Sequence, residues 1–82
     1  MILDILTPGG SILNAVQVDA VFLPGTLGEF EVLPHHAPII SSLGSGNIRY
    51  RSGGAETAVK ITSGFVIVKN DHIEACVEGV QR

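Results

Sequence analysis

Apolar and polar residues alternate along almost the whole chain, and this period of two constrains the fold more than any other feature of the sequence. Successive side chains of an extended strand point to opposite faces, so alternation predicts strands with one buried face. The clearest runs are AVQVDAVFL, NIRYR, TAVKIT and HIEACVE, and their apolar sets are Val16, Val18, Ala20 and Phe22; Ile48 and Tyr50; Val59 and Ile61; and Ile73, Ala75 and Val77. No segment has the period of an amphipathic helix.

Turn signals rich in glycine and proline separate these runs at near-regular spacing. They are Pro8-Gly9-Gly10, Pro24-Gly25, Gly44-Ser45-Gly46, Ser52-Gly53-Gly54, Ser63-Gly64 and Asn70-Asp71. Several short strands separated in this way are typical of a compact all-β domain. We therefore predict one domain over residues 1–82, a small antiparallel β-sandwich or flattened barrel of roughly eight to ten short strands.

Two segments require a further choice. FVIVK, residues 65–69, is apolar on both faces up to its lysine, which places it at the centre of a sheet. AETAVK, residues 55–60, fits either a helical turn or a strand. Its β-branched continuation and flanking glycines favour the strand.

Composition excludes several classes of function. The chain has only five Lys and Arg residues and a net charge of −3, whereas nucleic-acid binding requires a basic footprint. No apolar stretch approaches the ~18 residues that span a bilayer, which predicts a soluble chain without direct membrane insertion. Cys76 is the sole cysteine and predicts a reduced thiol rather than a disulfide or a zinc site.

The stretch GEFEVLPHHAPI, residues 28–39, concentrates the polar residues that could form a metal or catalytic site. The rings of adjacent His35 and His36 point to opposite faces of an extended backbone, so they cannot chelate one ion. In an extended GEFEVL segment Glu29 and Glu31 lie roughly 7 Å apart on one face, but a domain this small with so few aromatic residues offers little groove for a sugar. We predict no catalytic residues, metal or cofactor.

The two prolines of LPHHAP fix their φ angles and restrain the residues that precede them. A segment of this kind keeps its shape without ladder hydrogen bonds, as a recognition loop must. A plain crossover between two strands is the alternative interpretation.

The combination of these segments resembles a known family over essentially the whole chain. FLPGTLGEFEVLPHHAPIISSLGSGNIRY, followed by VKITSGFVIVKNDHIEACVE, resembles the ε subunit of the F-type rotary ATP synthase, called δ in mitochondria. The family pattern runs L-P-G-x-x-G-E-F-G-V-L-P-G-H-A-P-L-L-S and continues to a G-G-F-x-E-V strand. The present chain departs from it at Glu31, His35 and Ser63, where the family usually has glycine.

The resemblance implies a non-catalytic rotor subunit of the central stalk. Its β-sandwich would pack against the γ subunit and stand on the polar loops of the c-ring, so that rotation couples ion transport to ATP synthesis. Matched by position, Glu29, Phe30 and Glu31 are the residues implied to face the c-ring. Those implied to face γ are Thr7, His36, Ala37, Pro38 and Ile39. The implied location is the cytoplasmic face of the bacterial inner membrane, in preference to the stromal side of a plastid.

The family's C-terminal helical hairpin has no counterpart in these 82 residues. The resemblance therefore implies a chain that does not restrain ATP hydrolysis or bind ATP through that hairpin. Two other classes of function stay open on the sequence. A free-standing β-sandwich binding module predicts a monomer with a concave apolar pocket, and a metal-dependent enzyme predicts a stoichiometric bound transition metal.

Overall fold

The computed structural model describes residues 1–81, and these form nine β-strands without any helix. The strands are β1 (Ile2–Thr7), β2 (Gly10–Gln17), β3 (Ala20–Gly25), β4 (Gly28–Val32), β5 (Ile39–Leu43), β6 (Gly46–Ser52), β7 (Ala55–Ile61), β8 (Ser63–Lys69) and β9 (His72–Glu78). This confirms the all-β prediction, and it confirms that residues 55–60 are extended. Within residues 1–81 no helix is long and apolar enough to cross a membrane.

The strands form one curled sheet in the order β2-β1-β9-β8-β5-β3-β6-β7, with β4 added on β3. Only one residue pair, Gly25 with Leu43, joins β5 to β3. The sheet therefore divides there into a first half-sheet, β2-β1-β9-β8-β5, and a second half-sheet, β4-β3-β6-β7. All strand pairs are antiparallel except β1 and β9, which run parallel.

One hydrophobic core draws side chains from both half-sheets, as a sandwich requires. Its largest fully buried members are Leu3, Ile5, Leu23, Ile48, Ile61 and Ile73. The predicted alternation is confirmed in β6, β7 and β9, where Ile48 and Tyr50, Val59 and Ile61, and Ile73, Ala75 and Val77 are buried. No polar or charged side chain of residues 1–81 is buried.

The run AVQVDAVFL is not one strand, and the predicted inward position of Phe22 was wrong. The chain turns at Val18 and Asp19, whose N–H groups donate to the carbonyls of Met1 (2.9 Å) and Arg51 (2.8 Å). Val18 and Ala20 are buried as predicted, but past this turn Val21 and Leu23 are buried as well. Phe22 instead lies on the outer face, beneath the guanidinium of Arg49 at 4.3 Å from the ring centroid. A turn inside an alternating run reverses which residues point inward.

The strand β8 occupies the central position predicted for FVIVK, between β9 and β5. Only its inner side chains, Val66 and Val68, are buried in the core. Phe65 and Ile67 point to the outer face, where Phe65 is 47% exposed. The outer face of this central strand is thus apolar and uncovered.

Candidate protein-interaction site

The three residues predicted to face the c-ring form the middle of β4, and they do not share one side of it. Glu29 and Glu31 point outward, whereas Phe30 packs against the core. The Phe30 ring lies over Gly25, where a Cβ atom would come within 3.0 Å of it. Only the two carboxylates are therefore available to a partner on this strand.

The Glu29 carboxylate already has an internal partner. Its Oε1 lies 2.9 Å from Arg49 Nη2, and Arg49 Nη1 lies 3.5 Å from Glu56 Oε2. Because these side chains are exposed, each ion pair stabilises the fold by only about 1 kcal/mol or less. Glu31, which pairs in register with Phe22, makes no ion pair with residues 1–81. Beyond them, Leu27 at the tip of the β3–β4 hairpin is fully exposed.

Thr7, predicted to face γ, ends β1 and closes the turn into β2. Its hydroxyl donates to the carbonyl of Gly10 (2.9 Å) and accepts from the N–H of Gly9 (3.2 Å). The threonine thus has a local structural role that needs no partner protein.

The other residues predicted to face γ lie in and after the connection from β4 to β5. His36, Ala37 and Pro38 are exposed, and His36 is held by a backbone hydrogen bond from its N–H to the carbonyl of Leu33 (3.2 Å). The His36 ring nitrogen Nδ1 lies 2.8 Å from the carbonyl oxygen of Ala37. Ile39 begins β5 and is half-buried against the core.

His35 has a left-handed backbone conformation, with φ at 65°. Its N–H donates to Asp71 Oδ1 (2.9 Å), and Asp71 Oδ2 lies 3.3 Å from the Met1 ammonium. The hydrogen bond from His35 lowers the pKa of the Asp71 carboxyl, and the ammonium lowers it further. One aspartate in the β8–β9 turn therefore anchors both the chain start and the LPHHAP loop.

We expect replacement of His35 by glycine to stabilise the fold, although the same change at Glu31 weakens it. A left-handed φ costs an L-residue roughly 1–2 kcal/mol, which exceeds the entropic cost of glycine, so His35→Gly should raise the free energy of unfolding by about 0.5–1 kcal/mol. Glu31 lies within a strand, where glycine costs about 1 kcal/mol. Urea denaturation of both variants measures the difference, and equal effects at the two positions would contradict the role assigned to φ.

The outer face of β1, β9, β8 and β5 carries a continuous apolar surface that the sequence prediction missed. Strand register places Leu6 beside Cys76, Cys76 beside Phe65, and Ile67 beside Ile40. Ile40 is 79% exposed. We call Leu6, Ile40, Phe65, Ile67 and Cys76 the outer apolar face. Burial raises the pKa of the Cys76 thiol, and the charge of Glu74 raises it further, so this thiol is not an activated nucleophile.

Two shallow grooves extend the outer apolar face toward the residues predicted to contact γ. A groove of about 550 Å³ is lined by Thr7 together with Leu6, Phe65 and Cys76. Another, of about 250 Å³, is lined by Pro38 and Ile39 together with Ile40 and Ile67. Thr7 and the LPHHAP loop do not meet, but they flank opposite ends of one surface.

Metal-ligating side chains do not gather in the part of the chain that the structure describes. Across residues 1–81 there is no group of three or more His, Cys, Asp or Glu side chains placed to hold an ion. The His35 and His36 side chains belong to an exposed loop, and the nearest organised carboxylate, Asp71, binds backbone and ammonium N–H groups.

Comparison with known proteins identifies the family. The model of the β-sandwich domain of the ATP synthase delta/epsilon chain matches residues 1–82. The chain belongs to this family. ATP synthase epsilon chains similar to it include that of Desulforamulus reducens, 36% identical over 80 residues, and that of Geobacter metallireducens, 38% identical over 79 residues. These alignments cover 98% and 96% of the chain but only 60% and 56% of the relatives, so the chain spans little more than half of their length.

Solved structures share the same fold. A chain of the Euglena gracilis mitochondrial ATP synthase, in a structure of OSCP, F1 and c-ring, superposes with a TM-score of 0.93 at 23% identity. The match covers 99% of this chain and 52% of that one. A chain of the Tetrahymena thermophila mitochondrial ATP synthase central stalk and c-ring superposes with a TM-score of 0.84 at 16% identity, covering 99% and 65%. At such identities the likeness establishes the β-sandwich fold.

Proposed function

We propose that this chain, as one domain over residues 1–82, is a non-catalytic central-stalk subunit of an F-type proton-translocating ATP synthase. It links the γ subunit to the c-ring, so that rotation driven by ion flow reaches the catalytic head. Family membership and the epsilon-chain names of the relatives support this proposal. The relatives named above are bacterial, which favours the cytoplasmic face of the bacterial inner membrane as its location.

The outer apolar face is the observation that carries the γ-binding half of the proposal. It brings five apolar side chains together on an uncovered sheet surface, next to grooves lined by Thr7 at one end and by Pro38 and Ile39 at the other. A contiguous apolar patch of this kind is typical of a protein interface. His36 and Ala37 precede Pro38 in the loop and would extend the contact at its rim.

The c-ring half of the proposal rests on the β3–β4 hairpin. Its tip exposes Leu27, and the carboxylates of Glu29 and Glu31 point outward from the strand that follows. Polar loops would meet these carboxylates by hydrogen bonds, whereas Phe30 supports the strand from inside. The mechanical role requires that β4 stay rigid, and the Glu29–Arg49–Glu56 ion pairs across the second half-sheet contribute to this.

Binding to the γ subunit of the same organism tests the function directly. We expect the wild-type chain to bind γ and Phe65→Asp to weaken binding about 30-fold or more, because a charge replaces an aromatic side chain at the centre of the interface. Leu27→Asp is the matched control, since it adds the same charge at an exposed apolar residue on the hairpin tip. Isothermal titration calorimetry measures both, after circular dichroism has shown that each variant is folded.

A wild-type chain with no affinity for its own γ subunit would overturn the proposed function. Equal affinities of Phe65→Asp and wild type would show instead that γ binds elsewhere on the sandwich.

A further inference from the structure

Glu74 is the one incompletely exposed carboxylate of residues 1–81 that lacks a partner. Asp4, Asp71 and Glu74 are the half-buried acids of the described chain. Asp4 accepts the N–H of Ala15 (2.6 Å) and contacts the His72 ring, and Asp71 binds the His35 N–H and the Met1 ammonium. No ion pair or hydrogen bond from the described residues reaches the carboxylate of Glu74.

The position of Glu74 makes this lack of a partner consequential. Strand register places it between Asp4 on β1 and Ile67 on β8, with Ile40 beyond Ile67 on β5. It therefore lies within the rows of side chains that form the outer apolar face. A protein that covers this face removes water from Glu74, and an unpaired carboxylate in a dry interface is costly.

No charged group of residues 1–81 forms an ion pair with Glu74. Asp4 has the same charge, and the ring of His72 is directed to Asp4. Lys69, on β8, lies in register with His72 on β9. Its side chain is exposed and forms no ion pair with Glu74. Glu78, farther along β9, adds another exposed carboxylate to this side of the sheet. The outer side of the first half-sheet thus places the Glu74 carboxylate beside apolar side chains, and Lys69 and His72 line the same groove without an ion pair to it.

We propose that the protein covering the outer apolar face places a lysine or arginine opposite Glu74, and that this ion pair selects the partner. The inference rests on the proposed function, in which that protein is γ. An arginine would satisfy both carboxylate oxygens at once, because its guanidinium donates in a planar fork. The surface that fits this face is therefore apolar with one basic side chain near its middle.

The test compares Glu74→Gln, Glu74→Lys and Glu31→Lys for binding to the γ subunit of the same organism. Glu74→Lys should lose about 30-fold or more in affinity, since it puts like charges together in a desolvated contact. Glu74→Gln keeps the shape and should lose about tenfold, with a weaker salt dependence than wild type. Glu31→Lys makes the same charge change on the second half-sheet and should bind γ as wild type does. Exchange of the facing basic residue of γ for glutamate should restore binding to Glu74→Lys.

The outcomes separate this inference from the proposed function. A chain that does not bind γ refutes both. The inference alone is refuted if γ binds the wild-type chain, Phe65→Asp prevents this binding, and Glu74→Lys has the same affinity for γ as Glu31→Lys. If the losses in Glu74→Gln and Lys69→Gln fail to add in the double variant, and charge reversal in γ does not restore binding to Glu74→Lys, then Lys69 is the partner of Glu74 and the inference is refuted.

Discussion

Leu23→Ala is expected to lower the free energy of unfolding by about 2–5 kcal/mol. Leu23 lies on β3, at the junction of β4, β5 and β6, and its side chain is completely buried. Removal of three carbon atoms leaves a cavity between the half-sheets that the surrounding strands cannot close without losing register. An 82-residue domain has a total stability of only about 3–5 kcal/mol, so this variant should be largely unfolded near room temperature.

Leu27→Ala is the control, because it removes the same atoms from a leucine at 103% relative exposure on the same hairpin. A change at such a site should stay within about 0.5 kcal/mol of wild type. Urea denaturation followed by circular dichroism gives both values. Similar losses at the two leucines would mean that the core does not lie between the half-sheets.

Much of the fold follows from the sequence because a half-buried strand must alternate. The strands β6, β7 and β9 each bury the residues that their alternation predicts, as Ile48, Val59 and Ile73 show. Gly53 and Gly54 mark the turn between β6 and β7 for steric reasons that do not depend on the rest of the molecule, whereas Ser63 and Gly64, predicted as a turn, lie within β8. Local patterns therefore predict the all-β class and the approximate number of strands.

Local sequence patterns do not predict whether two strands pair in parallel or antiparallel, or which distant strand is the partner. The parallel pairing of β1 with β9 joins residues about 70 positions apart, such as Ile2 and His72, and alternation is the same in parallel and antiparallel strands. The turn at Val18 and Asp19 is equally hard to predict, because Asp19 also fits the polar position of an alternating strand. Hydrogen bonds to Met1 and Arg51, distant in sequence, stabilise it.

The candidate site was predictable only where a motif marks it. The GEF and HHAP segments stand out by composition, and the resemblance gives them their implied roles. The outer apolar face has no such mark, because Phe65 and Ile67 give β8 the pattern of a strand covered on both sides. Glu74 occupies an ordinary polar position of an alternating strand. Only the register of β1, β9 and β8 shows that Glu74 lies between Asp4 and Ile67, and only the side-chain contacts of residues 1–81 show that its carboxylate is unpaired.

Gly64→Ala is expected to cost about 3 kcal/mol because the added methyl group collides with the backbone of the neighbouring strand. A Cβ atom at Gly64 would meet the carbonyl oxygen of Cys76 and come within 2.9 Å of Val77 Cα and Cγ1. These atoms belong to β9, which cannot withdraw without weakening its ladder with β8. Gly64 also lines the larger groove beside Phe65, so the residual folded protein should bind γ more weakly.

Gly9→Ala tests whether steric contact, rather than loss of a glycine, causes that effect. A Cβ atom at Gly9 would find only Thr7 Oγ1, at 3.8 Å, and Gly9 does not have a positive φ. Its replacement should change the free energy of unfolding by less than about 0.5 kcal/mol, or raise it slightly by restricting the unfolded chain. Urea denaturation measures both variants, and if their transitions have equal m-values, the difference between the midpoints gives the difference in stability. A Gly64→Ala midpoint as high as that of Gly9→Ala would show that β8 and β9 are farther apart than the contact requires.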